Sequence, residues 1–131
     1  MKSIEDLDVF HVAHELTLII YKISETFPKS EMFGLSSQLR RAAFSINSNL
    51  SEGGSRVTTG ELRQFVSIAR GSVGELRYQL KLAKDLGYID IKNYNLLIEK
   101  SERIHKMLTG LIKNITKKNS CHMSPVTCHE S

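Results

Sequence analysis

The chain has little proline and little cysteine, and each shortage narrows the range of possible folds. Its only prolines are Pro28 and Pro125, so the long stretch between them lacks the strongest helix breaker. Its only cysteines, Cys121 and Cys128, lie near the C-terminus, where a disulfide between them would not cross-link a core. A reducing cytosol would also keep both as free thiols. The composition therefore favours a helical fold that apolar burial, rather than disulfides, holds together.

Long apolar runs are also missing. No apolar segment approaches the roughly 20 residues that a membrane-spanning helix needs. The N-terminus, "MKSIEDLDVF", is acidic and lacks the basic and apolar regions of a signal peptide. We therefore expect a cytoplasmic protein with no membrane partner. With 131 residues, of which 40% are hydrophobic and 24% are charged, the chain is expected to form one compact domain.

Motifs of the common enzyme and cofactor sites are absent from the sequence. There is no glycine-rich phosphate loop, no Cys–His nucleophile pair before the C-terminal tail and no paired Glu-x-x-His motif for a di-iron site. His11 and His14 have only Glu15 beside them, and the Cys and His spacing in the tail "CHMSPVTCHES" matches no standard zinc finger. We predict no enzymatic activity, no cofactor and no metal site.

Apolar residues recur at alternating steps of three and four, which is the period of an amphipathic helix. This pattern predicts helices over residues 6–27, 34–52, 59–86 and 91–117. Short connections between them favour an all-α, antiparallel, up-and-down four-helix bundle over residues 1–118, followed by a disordered tail at 119–131. The predicted core positions are Val9, Ala13, Leu16, Ile20, Ile23, Phe27, Leu35, Leu39, Ala42, Ile46, Leu50, Leu62, Val66, Ala69, Val73, Leu76, Leu80, Ala83, Tyr94, Leu97, Ser101, Ile104, Leu108, Leu111 and Ile115.

Capping and breaking residues mark the predicted helix ends. Residues 28–33 form the longest link, and they are expected to hold a short helical turn that begins at Pro28. The signals are Pro28 after the first helix, Gly53 and Gly54 as the stop of the second, Thr58 and Glu61 as a capping box before the third, Gly87 after the third, and Asp90 as the N-cap of the fourth.

The third helix has a wider apolar surface than one core seam requires. A second row, comprising Phe65, Ile68, Leu82 and Leu86, runs beside the first and is interrupted by Ser72, Glu75 and Gln79. The row is either part of a broad core face with solvated polar residues or a contact with another copy of the chain. Because Gly71 and Gly74 weaken a helix interior, a closely approaching neighbour would account for them, and we predict self-association.

A polar face of the second helix is the other half of this predicted interface. Arg41, Ser45, Ser48 and Glu52 follow one another at steps of four, three and four. Since Arg41 and Glu52 are too far apart to pair, each lies in solvent or finds a partner on another helix. The predicted oligomer interface comprises Arg41, Ser45, Ser48, Glu52, Arg70, Ser72 and Glu75, and an ordinary solvated face is the alternative.

Positive charge is concentrated after residue 33. Residues 1–33 carry three Lys against six acids, whereas residues 34–131 carry fifteen Lys and Arg against eight acids. Arg63, Arg70, Arg77 and Lys84 recur every seven residues, and Lys81 adds a charge one turn from Arg77. Such a stripe is able to follow phosphates, so Arg63, Arg77, Lys81 and Lys84 are the predicted nucleic-acid-binding residues. The alternative is a solvated face that Glu61 and Asp85 partly neutralise.

Two further sets of basic residues have structural interpretations. Arg70 belongs to a segment that favours a structural salt bridge over phosphate binding. Lys106, Lys113, Lys117 and Lys118 gather at the end of the fourth helix, where cations stabilise the helix dipole without any ligand.

Three segments, "DLDVFHVAHEL", "FPKSEMFGLSSQLRRAAFSINSNLSEG" and "FVSIARGSVGELRYQL", resemble the bacterial four-helix-bundle family encoded in intervening sequences of 23S ribosomal RNA genes. That family is related to the accessory variability determinants of diversity-generating retroelements. The resemblance covers roughly residues 4–115. This sequence departs from the family's common pattern at Phe10, where Trp is frequent, and at Ser51, where Ala is usual.

The resemblance implies a four-helix protomer that assembles into a ring-shaped homopentamer. In the retroelement members, it also implies a basic surface that contacts nucleic acid and a reverse transcriptase. Two functional hypotheses follow. The first is a non-enzymatic, oligomeric accessory protein that binds RNA or DNA. The second is a structural self-assembling scaffold that binds another protein and no nucleic acid.

Overall fold

Four antiparallel helices make up the described part of the chain. The structure is a computed structural model that describes residues 3–123, with the side chains described as far as residue 117. The helices are α1 (Asp8–Ser24), α2 (Leu35–Gly54), α3 (Thr59–Asp85) and α4 (Ile91–Met123), and short 3-10 turns occupy Ile4–Asp6 and Lys29–Glu31. No strand occurs among residues 3–123. The prediction of an all-α four-helix bundle is confirmed.

Each helix packs against two neighbours, so the bundle has a roughly square cross-section in which α1 lies diagonally opposite α3. The core is almost purely aliphatic, and its largest fully buried side chains include Leu16, Ile46, Leu76, Leu80 and Ile104. Nearly all predicted core positions are buried. Ile23, Leu62, Tyr94 and Leu111 are partly buried and pack against the core from its edge. The apolar periodicity therefore located the core correctly.

Helix α2 ends at Gly54, at the glycines that were expected to stop it, but the expected reason was wrong. Neither Gly53 nor Gly54 takes a positive φ. Gly53 is buried, and a Cβ atom placed on it would lie 2.9 Å from the Cβ of Phe65. A Cβ on Gly54 would collide with the side chain of Ile4. Both glycines are therefore explained by close approach of other segments to the last turn of α2, and not by the backbone freedom that ends a helix.

Helix α1 ends at Ser24, earlier than the predicted Phe27. Arg40 of α2 stabilises this end, because its Nη2 donates to the carbonyl of Tyr21 at 3.1 Å and its Nε donates to the hydroxyl of Ser24 at 2.7 Å. Its guanidinium also stacks over the Tyr21 ring, 5.1 Å from the centroid. A side chain distant in sequence thus satisfies the free carbonyls of the last turn.

Other helix-end signals are confirmed. The hydroxyl of Thr58 accepts the Glu61 N–H at 3.1 Å, although the Glu61 carboxylate accepts the Thr58 hydroxyl rather than a backbone N–H. Asp90 Oδ1 accepts the Asn93 N–H at 2.7 Å, and Pro28 precedes the 3-10 turn in the first link. Gly87 takes a φ of +82° and closes α3 in a Schellman motif, in which the Tyr88 N–H donates to the carbonyl of Ala83.

The C-terminal tail was predicted to begin at residue 119. Helix α4 runs to Met123, five residues into that segment. Residues 124–131, which include the second Cys–His pair, lie outside the described part of the chain.

A hydrogen bond ties the two loops at one end of the bundle. The phenol of Tyr88, after α3, donates to Glu31 Oε2 in the first link at 2.9 Å. Glu31 Oε1 accepts the Leu35 N–H at the start of α2, and the ring of Phe27 lies 5.3 Å from that of Tyr88. Because the Glu31 carboxylate accepts the phenol proton, it raises the pKa of Tyr88 above its ordinary value of 10.0, and burial adds to the effect.

The core assignment predicts unequal costs for two leucine truncations. Leu80 is fully buried, whereas the Leu18 side chain is 58% exposed. We expect Leu80→Ala to lower the free energy of unfolding by about 2–5 kcal/mol, because it loses buried contacts and leaves a cavity. Leu18→Ala, the matched control, is expected to cost less than about 1 kcal/mol. Chemical denaturation measures both, and similar losses would contradict the observed packing.

The Tyr88–Glu31 bond predicts a pH dependence of stability. The folded state holds the Tyr88 proton more tightly than the unfolded state does. The stabilisation that the Tyr88–Glu31 bond gives the folded state is therefore complete below pH 10 and is lost as the pH rises through the raised pKa of Tyr88. Unfolding measured between pH 8 and 11, a range of about three units around the tyrosine pKa, should therefore show a steeper alkaline loss for the native chain than for Tyr88→Phe. Tyr78→Phe, at an exposed phenol, is the control and should follow the native profile.

Candidate nucleic-acid interface and self-association groove

The heptad stripe of α3 faces α4. Near the start of α3, Arg63 Nε donates to the hydroxyl of Thr116 at 2.9 Å. One heptad later, Arg70 Nη1 donates to the hydroxyl of Thr109 at 3.5 Å, which is the limit of a hydrogen bond. No carboxylate pairs with Arg70 among the described residues, so the structural salt bridge expected for it was wrong.

The second half of the stripe contacts α4 in the same order. Arg77 Nη2 lies 3.6 Å from Glu102 Oε1. Lys84 Nζ lies 4.4 Å from the centroid of the Tyr94 ring and 3.7 Å from Asp85 Oδ1. Each step of seven along α3 therefore meets a step of seven or eight back along α4, as expected for two antiparallel helices in contact. The stripe is the edge of the α3–α4 seam.

Contact with α4 leaves the cationic heads partly exposed. The Arg77 and Lys84 side chains retain 40% and 29% of their accessible surface, and Arg63 is exposed. Long basic side chains commonly lay their stems along a neighbour and keep the charge in water. Ion pairs this exposed are worth at most about 1 kcal/mol, so phosphates are able to compete for these heads. Lys81 is exposed and makes no ion pair in the described part of the chain.

Glu61 does not neutralise the stripe as the sequence suggested. Its carboxylate lies 3.6 Å from the Arg56 guanidinium, beyond the end of α2. Arg56 also pairs with Glu52 and lies over the ring of Phe65. Of the two acids expected to mask the stripe, the structure places Asp85 alone beside one of its cations.

A groove between α2 and α3 brings together four of the seven predicted interface residues. It has a volume of about 460 Å³ and is lined by Arg41, Ala42, Ser45, Ile68, Gly71, Ser72 and Glu75. Its polar floor is fully bonded: Asn49 Nδ2 lies 2.9 Å from Ser45 Oγ, which lies 2.9 Å from Ser72 Oγ, which donates to the carbonyl of Ile68. This chain of hydrogen bonds explains how Ser72 is accommodated where α3 is buried.

The rim of the α2–α3 groove carries two opposite charges that do not pair within the protomer. Arg41 and Glu75 both line the groove and are exposed, yet neither makes an ion pair with any described residue. Gly71 lies between them, and a Cβ atom built there meets nothing within 4 Å. Packing inside the protomer therefore does not explain why this position is glycine.

The other three predicted interface residues lie elsewhere. Ser48 lines a different groove, between α1 and α2. Glu52 pairs with Arg56, four residues further along, and its side chain remains half exposed. Arg70 lies on the α4 side of α3, away from the groove. The predicted interface residues therefore do not form one surface, because packing places them on different sides of α2 and α3.

An apolar groove between α1 and α2 was not predicted from the sequence. It has a volume of about 560 Å³, and its exposed wall includes Leu18, Tyr21 and Phe44. Asn47 lies beneath it and donates through Nδ2 to the carbonyl of Phe10 at 3.1 Å, which leaves its Oδ1 buried without a partner. The available signal was the position of these three apolar residues off the core stripes of their helices.

The described residues carry no other ligand signature. No group of three or more His, Cys, Asp or Glu side chains in this part of the chain is arranged to hold a metal ion. Among the same residues, no helix is long and apolar enough to cross a membrane.

The sequence of residues 5–110 matches the model of the 23S rRNA-intervening sequence protein family. The chain belongs to that family. One solved structure, a protein of unknown function from the S23 ribosomal protein family of Bacteroides thetaiotaomicron, superimposes with a TM-score of 0.75 at 24% identity. The similarity covers 80% of this chain and 95% of that one and supports the fold. A search of curated proteins gave no match.

The two departures from the family's common pattern lie together in the fold. Phe10 and Ser51 both line the α1–α2 groove, although they come from different helices. The α2–α3 groove and the α3–α4 seam contain neither of them.

Proposed function

We propose that this 23S rRNA-intervening sequence protein is a non-enzymatic accessory protein of the cytoplasm that binds nucleic acid as an assembly of several copies. The observation that carries the proposal is the placement of the α3 cations along the α3–α4 seam with their heads accessible to solvent. A polyanion that replaces the weak contacts of these heads gains several phosphate contacts at once.

Counterion release supplies the driving force for such binding. Each phosphate that a Lys or Arg neutralises frees condensed cations, so affinity falls steeply with salt concentration. Repetition of the basic surface in an assembly raises the number of simultaneous contacts without raising the charge of one protomer. This mechanism needs no base-specific pocket and no metal.

The proposed assembly forms through the α2–α3 groove. Arg41 and Glu75 each lack an ion-pair partner among the described residues, and a second copy that enters the groove is able to supply both. The resemblance to retroelement accessory determinants extends this to a homopentamer, with a reverse transcriptase as a further partner where such a gene lies nearby. The open space at Gly71 supports a close helix contact.

The second candidate function is a scaffold that self-assembles and binds another protein without nucleic acid. The apolar α1–α2 groove favours it, because Leu18 and Phe44 expose 58% and 60% of their surfaces there. Exposed apolar patches commonly mark protein contacts. Nucleic-acid binding separates the two candidates, whereas self-association is common to both.

The first test is the solution mass measured by light scattering, alone and with RNA, at low and moderate salt. We expect a mass near five protomers that increases with RNA at low salt, because phosphate contacts weaken as ionic strength rises. A multimer that binds neither RNA nor DNA even at low salt would support the scaffold function. A monomer would contradict the groove interface.

Exchange of one glycine tests the groove separately from nucleic acid. In the middle of a helix, Gly→Ala stabilises the helix by about 1 kcal/mol where the added methyl group has room. Gly71 and Gly110 both have such room. We expect Gly71→Ala to weaken self-association, because its methyl group occupies the space of the incoming copy, while Gly110→Ala leaves the mass unchanged. Light scattering over a dilution series measures both, and equal behaviour of the two variants would argue against the groove.

A further inference from the structure

The charges of the α3–α4 pair divide sharply along its length. Residues 62–74 of α3 and 103–117 of α4 contain no acid, and together we call them the acid-free half. It carries six cations: Arg63, Arg70, Arg103, Lys106, Lys113 and Lys117. The remaining part of the pair, residues 75–102, contains five acids and five cations and is the balanced half. The positive potential is therefore confined to one end of the seam.

The fold brings the two acid-free segments side by side. Hydrogen bonds from Arg63 to Thr116 and from Arg70 to Thr109 join them directly. The four cations on α4 are exposed. The helix dipole, which is sufficient to explain lysines at the end of an isolated α4, does not explain why the facing segment of α3 also lacks acids.

Neighbouring acids lie at the borders of the acid-free half. Glu102 borders it on α4 and pairs with Arg77, and Glu61 borders it on α3 and lies near Arg56. Asp8 lines a groove with Gly110 and Asn114 on the α1 side of α4, on the edge away from α3. No described acid pairs with a cation of the acid-free half.

The helices fix the spacing of the backbone positions from which these cations project. Arg63 and Arg70 on α3, and Lys106 and Lys113 on α4, are each seven residues apart, which is about 10 Å along a helix. Packed helix axes are about 8–10 Å apart, so the cations form a grid with a repeat of roughly 10 Å in both directions. The grooves of a nucleic-acid duplex, about 6 and 12 Å wide in B-DNA, place phosphate rows at comparable separations.

A stacking platform for unpaired bases is missing from the same surface. Phe65 is the one Phe, Tyr or Trp of these two segments, and it is partly buried on the α2 side beneath the Arg56 guanidinium, while the single His of the segments, His105, is half-buried. Proteins that bind single strands combine basic grooves with exposed aromatic side chains that stack on bases. The described surface of the acid-free half therefore offers mainly phosphate contacts, as suits a duplex whose bases are already stacked.

We infer that the acid-free half is the main surface through which the protein binds the phosphate backbone of double-stranded nucleic acid. This inference rests on the proposed function and specifies the surface and the class of ligand. Binding occurs through cations that project from two packed helices. It is independent of base sequence and strongly dependent on salt.

Two double variants with the same change in net charge test the location. Lys106→Gln/Lys113→Gln removes two charges from the acid-free half, and Lys29→Gln/Lys92→Gln removes two from the opposite end of the bundle, where the first link meets the turn after α3. All four lysines are exposed and lack ion pairs among the described residues. The probes are a labelled RNA duplex of about 20 base pairs and one of its strands, chosen not to self-pair. Fluorescence anisotropy over a range of salt concentrations gives the affinity and its salt slope.

We expect the native chain to bind the duplex more tightly than the single strand. Lys106→Gln/Lys113→Gln should lower duplex affinity by roughly tenfold or more and reduce the salt slope by about 2 for each protomer that contacts the duplex, one per lost phosphate contact. Lys29→Gln/Lys92→Gln should stay within about twofold of the native affinity, since charges beyond about 10 Å are screened. Melting curves establish that both variants are folded.

Other outcomes separate this inference from the proposed function. Equal losses in the two variants, or a larger loss in Lys29→Gln/Lys92→Gln, would overturn the location while nucleic-acid binding stands. Tighter binding of the single strand would overturn the ligand class. Absence of binding to either probe at low salt would overturn the inference and the binding of RNA.

Discussion

The close contact between α2 and α3 is the constraint on which the rest of the structure depends, because these two helices share the most extensive packing in the bundle. Small residues make it possible: Gly53 admits the first turn of α3, and Ser45 and Ser72 meet through a hydrogen bond at 2.9 Å. Once α2 and α3 are fixed, the opposite side of α3 is presented to α4. The groove and the seam are thus two sides of one helix, and their separation follows from the position of α2.

The sequence predicted the number of helices and the core because both follow from local spacing. Residues such as Val66, Val73 and Leu80 recur with the period of a helix wherever its neighbours lie. Gly53 was misinterpreted because a glycine that ends a helix and one that admits a neighbour read alike in sequence. At the early end of α1, Arg40 bonds the Tyr21 carbonyl, and no local pattern reveals this partner, which is distant in the chain. Local rules therefore gave the helices, and tertiary contacts moved their ends.

The candidate surfaces were predictable in part for the same reason. Spacing placed Arg41 and Ser45 on one face of α2 and Ser72 and Glu75 on one face of α3, and the fold joined those faces in one groove. Spacing also placed Ser48 and Glu52 with them, but Ser48 lies in the α1–α2 groove and Glu52 pairs with Arg56. The basic stripe was identified correctly as a stripe. Its relation to α4 was not visible, because Thr109 and Thr116 carry no charge and reveal their role only when the helices are paired.

The unequal distribution of charge between opposite faces of the bundle affects how the protomer is oriented before it binds a charged partner. Between residues 3 and 25, the 3-10 turn and α1 carry five acids and a single Lys, whereas the α3–α4 face contains the acid-free half. The protomer is therefore an electric dipole directed across the bundle. Near a polyanion it experiences a torque as well as an attraction, so it rotates its basic face forward during diffusion. Orientation, and not only attraction, would then raise the rate of encounter, and added salt would shorten the distance over which that alignment begins.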